Sequence, residues 1–263
     1  FISQTVAPNL GRAHETLGES STGAIRGNPL REKIGLRILP KFITVVDDPS
    51  LKEFEGIPIL SSYEIDDEGV KGQRIVPVEK GILKTFCTSR RPARHVKQSN
   101  GHSQGGVGST STVVIESEAR LNPKEMREKL FELARDEGLK HVYIVRRLSN
   151  LVSSIMNPAS LRSGMGGRGE DVTVRPPVLL YRVSIEDGKE ELVRGARFGK
   201  MTLRVLRDIE ATGDHARALP VLGGMDSVTY VVTPSILLKE IEIHKPGKEM
   251  EKTPLLSHQY FEK

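Results

Sequence analysis

Short apolar runs that alternate with a period of two recur along most of this chain, and clusters of Asp, Asn, Pro or Gly stop each of them. ILPKFITVV ends at Asp47-Asp48-Pro49, and IPILSSYEI ends at Asp66-Asp67-Glu68-Gly69. QRIVPVEKGILKTFCTS reads as two strands joined around Glu79-Lys80-Gly81, with Pro77 calling for an edge strand or a bulge. TVVIES, HVYIVRRL, PPVLLYRVSIEDGKEELV with its turn at Asp187-Gly188, and SVTYVVTP complete the strand set. Against these stands one strong helix signal, LNPKEMREKLFELARDEGL. Asn122 suits the N-cap, Pro123 the first helical position and Glu125 the third position of a capping box, while Gly138 suits the end. Met126, Leu130, Leu133 and Ala134 recur at helical spacing, and MTLRVLRDIEATG predicts a second helix. Strands outnumber helices and do not alternate with them. The pattern therefore predicts an α+β fold, predominantly antiparallel and barrel-like, with a few helices.

The 263 residues are 37% hydrophobic, enough for a core. No stretch approaches the roughly 18 apolar residues of a membrane helix, and FISQTVAPNL lacks the basic start and apolar run of a signal peptide. The chain reads as soluble, cytoplasmic and without a membrane partner. Its first residue is Phe1 rather than Met, so the expectation is a remainder of something longer, with a domain or targeting segment able to precede it. A single cysteine, Cys87, excludes an internal disulfide and a Cys-rich zinc module, and its apolar run GILKTFC makes it a buried thiol rather than a nucleophile.

The net charge of +5 is local. No acidic residue lies between Glu79 and Glu116, where Lys80, Lys84, Arg90, Arg91, Arg94 and Lys97 supply six positive charges. With 5% aromatics, no Trp and no nucleic-acid motif, this segment is a weak case for nucleic-acid binding. It flanks SNGHSQGGVGSTS, which reads as a flexible loop between strands. There Asn100 and His102, with His95, are candidates to hydrogen-bond a substrate, the alternative being a solvated loop. GMGGRG at 164–169 lacks the strand-to-helix setting of a phosphate loop. The remaining chemical signal is His14-Glu15, with Glu19 five residues after His14. An imidazole can bind zinc while a neighbouring carboxylate takes a proton from metal-bound water. Five residues, however, turn roughly 140° around a helix, which does not converge His14 and Glu19 without distortion.

The order LPKFITVVDDPSL, YEIDDEGVKGQRIVPVEKGILKTFCTSRRPAR, SNGH resembles the TldD/PmbA family, strongly as far as Lys97 and by element order from Gly101 to Lys263. The specific parts are Asp66-Asp67-Glu68-Gly69 with Gln73-Arg74, and Val78-Glu79 with Gly81-Ile82-Leu83-Lys84. The resemblance implies that residues 1–263 are the middle and C-terminal region of such a protein, without the family's N-terminal domain. It also implies a metallopeptidase background in which a His-Glu-x-x-x-His helix and a C-terminal Cys hold the metal.

Laid on that motif, one register matches His14 and Glu15 but puts Glu19 where the second His belongs. The other, which we prefer, puts Ser3, Gln4 and Pro8 at the three functional positions and Leu10 on a following leucine. Neither supplies a zinc site, and no Cys stands near Leu222-Gly223-Gly224-Met225, where the family cysteine is implied. The expectation is a metal-free, TldE-like subunit with no cofactor. It would pair as a homodimer, or as a heterodimer with a TldD-like paralogue, around an extended peptide, with Arg90, Arg91 and Arg94 at the entrance. The alternatives are a variant zinc peptidase, with Glu15 as base and His14 and Glu19 as ligands, and a nucleic-acid or regulatory module.

Overall fold

The computed structural model describes residues 1–11, 28, 30–91, 96–149, 171–172, 174–222 and 228–245. The main sheet has seven strands in the order Ile82–Leu83, Ile75–Glu79, Ile43–Asp47, Thr112–Ser117, Val228–Leu238, Ile209–Leu222, Arg120–Leu121. Neighbours run antiparallel except in two pairs, Thr112–Ser117 with Val228–Leu238 and Ile209–Leu222 with Arg120–Leu121. The sheet is open, ending in two-residue strands on both sides, so the barrel-like expectation gives way to an open sheet with short edges. The α+β expectation stands. Pro77 lies where the register slips between the Val45–Val78 and Asp47–Ile75 pairs, and so marks a bulge rather than an edge.

Period-two alternation puts two different surfaces on the sheet. Ile43, Val45, Val113, Ile115 and Val231 join Ile2, Val6 and Leu10 in the largest apolar cluster, which places the helical segment 2–10 against one face. Ala218, Tyr230 and Val232 pack with Ile59 on the other. The segment 2–10 is two one-turn helices, Ile2–Thr5 and Ala7–Leu10. Pro8 cannot donate a backbone bond back to Gln4, which explains the break.

A smaller layer stands beside this sheet. Strands His141–Leu148, Pro177–Ser184 and Glu190–Val193 form an antiparallel sheet, and helix Pro123–Asp136 covers it through Leu130, Phe131 and Ala134 packed on Val142, Ile144, Tyr181 and Val183. The capping box forms in full. The Asn122 side chain accepts from Lys124 and Glu125 N–H at 3.0 Å each, and Glu125 accepts from Asn122 N–H at 2.9 Å.

Three local expectations are corrected. IPILSSYEI contributes only the two-residue strand Ile57–Pro58, because its polar residues go into loop contacts instead of a ladder. MTLRVLRDIEATG is no helix. Met201–Thr202 is a strand, Leu203–Leu206 a single 3-10 turn capped by the Thr202 hydroxyl, and Ile209 onward a long strand. Pairing with Val228–Leu238 offers that segment more burial than a lone helix would, so tertiary context overrides local pattern. SNGHSQGGVGSTS is built in rather than loose: Asn100, His102, Ser103, Thr110 and Ser111 are buried, and Ser103–Gln104 pairs with Val107–Gly108 as a tiny hairpin. Its glycines are positional. At Gly101 φ is +72°, and a Cβ would lie 2.1 Å from the Lys71 carbonyl oxygen; at Gly108 it would lie 2.2 Å from that of Cys87.

Candidate functional site

The helical segment 2–10 carries Ser3, Gln4 and Pro8, the residues that one of the two registers lays on the family motif. Gln4 is tied at both ends of its carboxamide: Oε1 accepts the Arg175 backbone N–H at 2.7 Å, and Nε2 donates to the Ser149 carbonyl at 3.4 Å. A carboxamide matches this pair because it presents a donor and an acceptor together, as a peptide unit does; a carboxylate would offer no hydrogen to Ser149. Pro8 is exposed and presents neither a lone pair nor an N–H, and Ser3 offers a neutral hydroxyl. These three residues do not fit a zinc site with a general base. His14, Glu15 and Glu19 lie outside the described residues, as do residues 223–227 of the Gly223 region. Val221, just before that region, packs in the apolar cluster that holds Ile2 and Val6.

The end of this segment is seated on a second polar assembly. The Cys87 backbone N–H donates to the Leu10 carbonyl at 2.9 Å, and a Cβ on Gly11 would lie 2.7 Å from Ser109 Cα. Directly beyond lie Asp47, Cys87 and His102, fully buried, whose ligand-type atoms all fall within 4.8 Å of one another. Asp47 is the last residue of its strand, and by alternation it shares the inward face of Ile43 and Val45. Its Oδ1 takes the Ser111 hydroxyl at 2.5 Å, the Ser111 N–H at 3.2 Å and His102 Nε2 at 3.2 Å.

Asn100 sets the imidazole. Its Nδ2 donates to the Phe86 carbonyl and its Oδ1 accepts the Thr88 N–H, both at 2.8 Å, which fixes the amide orientation. His102 Nδ1 lies 3.0 Å from both Asn100 Oδ1 and the Asn100 carbonyl, two acceptors, so Nδ1 carries a hydrogen. Nε2 then faces Asp47 Oδ1 at 3.2 Å. Burial pushes the Cys87 thiol well up, and the neighbouring carboxylate, which accepts its hydrogen bond, pushes it further. Cys87 is therefore a thiol and not a nucleophile. Burial likewise raises Tyr63, with Asp47 and Cys87 adding to it; its hydroxyl donates to the Gly101 carbonyl at 2.9 Å.

The Asp66-Asp67-Glu68-Gly69 motif holds this assembly from outside. Asp66 accepts the N–H groups of Glu68, Val70 and Ser103, Asp67 accepts that of Gly105, and Glu68 accepts that of Arg90 at 2.6 Å. The motif thus clamps the hairpin after His102 and the middle of the basic segment at Arg90. Among the proposed substrate residues, the structure separates two groups: Arg90 and Arg91 are exposed, whereas Asn100 and His102 are buried and bonded internally. Arg94 lies outside the described residues. Lys84, from the same basic stretch, faces Glu79 at 3.6 Å. The assembly's residues were each visible in the sequence, but Asp47 read as a turn former. Its place as the next inward position after Ile43 and Val45 was the available signal.

Residues 10–245 match the PmbA/TldA metallopeptidase C-terminal domain. The chain belongs to this family, the TldD/PmbA family. A metalloprotease of Methanothermobacter thermautotrophicus is 26% identical over 213 residues, 78% of this chain and 40% of that protein. A metalloprotease of Methanocaldococcus jannaschii is 34% identical over 98 residues, 35% of this chain and 21% of that one. In fold, the chain is similar to TldE from Thermococcus kodakarensis, with a TM-score of 0.59 at 19% identity over 92% of this chain and 47% of that structure. It is also similar to a putative modulator of a DNA gyrase from Thermotoga maritima, with a TM-score of 0.56 at 17% identity over 82% of this chain and 42% of that one. The chain spans less than half the length of these relatives. Among the described residues, no helix is long and apolar enough to cross a membrane.

Proposed function

We propose that this TldD/PmbA-family chain is the non-zinc, TldE-like partner in peptide processing. It pairs with itself or with a zinc-bearing paralogue and forms one wall of a chamber for an extended peptide. The observation that carries this reading is Gln4. At the position where the family motif calls for a general base, a neutral amide spends both its hydrogen-bonding groups on the backbone of residues 149 and 175. Pro8 and Ser3 support it by chemistry that zinc does not use. Arg90, Arg91 and Arg94 would draw in the acidic or C-terminal carboxylate groups of the peptide. Asn100 and His102 act from beneath, shaping the segment that presents those arginines. A strand-like peptide suits a sheet-rich wall, because backbone bonds can recognise it without regard to its sequence.

Isolation of the untagged protein from its native host, followed by separate and mixed peptidase assays, tests this. The expected result is a homologous zinc-bearing chain in the complex, with activity following that chain. A monomeric protein that cleaves peptides unaided, with activity and zinc both lost in His14→Ala, would overturn the reading in favour of the variant peptidase.

A further inference from the structure

We propose that Asp47, Cys87 and His102 form a binding site for one zinc-class divalent cation, buried beneath the end of the motif helix and separate from the family's motif positions. The ligand atoms already stand close to coordination spacing. Around a tetrahedral centre with bonds of about 2.0–2.3 Å, neighbouring donor atoms sit about 3.3–3.8 Å apart. Here Nε2 and Oδ1 are 3.2 Å apart, and the whole set including Sγ lies within 4.8 Å.

The orientation of His102 is that of a ligand. Its Nδ1 hydrogen is spent on Asn100, and the opposite nitrogen is turned toward a carboxylate oxygen. This is the arrangement by which an outer carbonyl fixes the tautomer of a metal-binding imidazole. Two acceptor atoms facing each other inside a protein require a positive centre between them.

Charge complementarity favours a dication. With a dication bound, Asp47 and the Cys87 thiolate carry two negative charges against two positive ones. The bound assembly is then neutral, so no uncompensated charge is left in the interior. A sulfur, a nitrogen and an oxygen together select zinc or its spectroscopic stand-in cobalt over magnesium or calcium, which take sets of oxygen ligands. The Ser111 hydroxyl and N–H steady the carboxylate, as such ligands require. Because Cys87 N–H holds the Leu10 carbonyl, a bound cation would also stiffen the seat of the helical segment.

The test uses the full, untagged chain, stripped with a chelator and then given Zn²⁺ or Co²⁺ alone. One equivalent should bind. Co²⁺ should show a thiolate charge-transfer band, and Zn²⁺ should raise the melting temperature. Cys87→Ala should keep the fold by circular dichroism yet lose the band and the metal-dependent rise, and Asn100→Ala should weaken binding about 10–100-fold. No uptake at stoichiometric metal, or equal uptake by Cys87→Ala, overturns the proposal. The outcome is separable from the proposed function. Zinc that depends on Cys87 and not on His14 supports this site and leaves the partner reading standing. Zinc that depends on His14 and not on Cys87 defeats both.

Discussion

The motif helix and the assembly beneath it make opposite use of polar residues placed among apolar neighbours. At the helix, Ser3, Gln4 and Pro8 offer a hydroxyl, an amide and a proline ring, and Gln4 serves the backbone by joining segments 145 and 171 residues away in sequence. One hydrogen bond away, Asp47, Cys87 and His102 gather metal-ligating groups at a place that serves as the end of a strand and the floor of a loop. Family likeness thus points to one location and side-chain chemistry to its neighbour.

The comparison breaks most visibly at Asp47. Asp47→Ala removes the acceptor of the Ser111 hydroxyl, the Ser111 N–H and His102 together and should cost about 3–5 kcal/mol in urea unfolding, at about 1–3 kcal/mol for each buried group left unpaired. A loss under about 1 kcal/mol would mean that the assembly does not hold the fold. Gln4→Ala should cost less, about 1–3 kcal/mol, by leaving the Arg175 N–H and the Ser149 carbonyl unpaired. Gln4→Glu keeps only one of the two bonds, and the peptidase assay should read no activity for it. If this substitution creates activity, the contrast between the two regions fails.

An exposed ion cluster provides a weaker third case. Glu190 accepts from Arg127 at 2.7 Å and from Arg146 at 2.8 Å, and the Arg127 bond, with Arg146's charge behind it, holds its carboxyl below the usual range. A depressed carboxyl contributes stability above its unfolded value and loses that contribution as the pH falls through its folded value. Wild type should therefore exceed Glu190→Gln in urea midpoint at neutral pH, with the gap closing as the pH falls below the usual carboxylate range. A gap independent of pH would remove the ion pairing as its cause. Smallest of all, Arg90→Gln with Arg91→Gln should change stability by less than about 0.5 kcal/mol, because both side chains are exposed, while weakening capture of peptides with acidic termini. Unchanged capture would make these arginines a solvated rim.

The capped helix at Pro123–Asp136 and the hairpin around Gly188 were legible because their signals are local: a cap, a glycine and a period. The segment after Met201 was not, since its helical spacing lost to a strand partner downstream. The basic segment also divided as no charge count foresees. Arg90 and Arg91 face water, while Asn100 and His102 a few residues later face the interior.

Sequence by itself determined the α+β class and the family, for these rest on residue identity and short-range order. Only the tertiary structure decided that Asp47 points inward while Asp48 caps a turn through Ser50, that Gln4 is a clamp, and that Cys87 and His102 meet the same carboxylate. The physical reason is distance along the chain. Contacts between residues 4 and 175, or 47 and 102, form because folding the sheet buries their segments together, and a buried polar group must then find whichever partner is near.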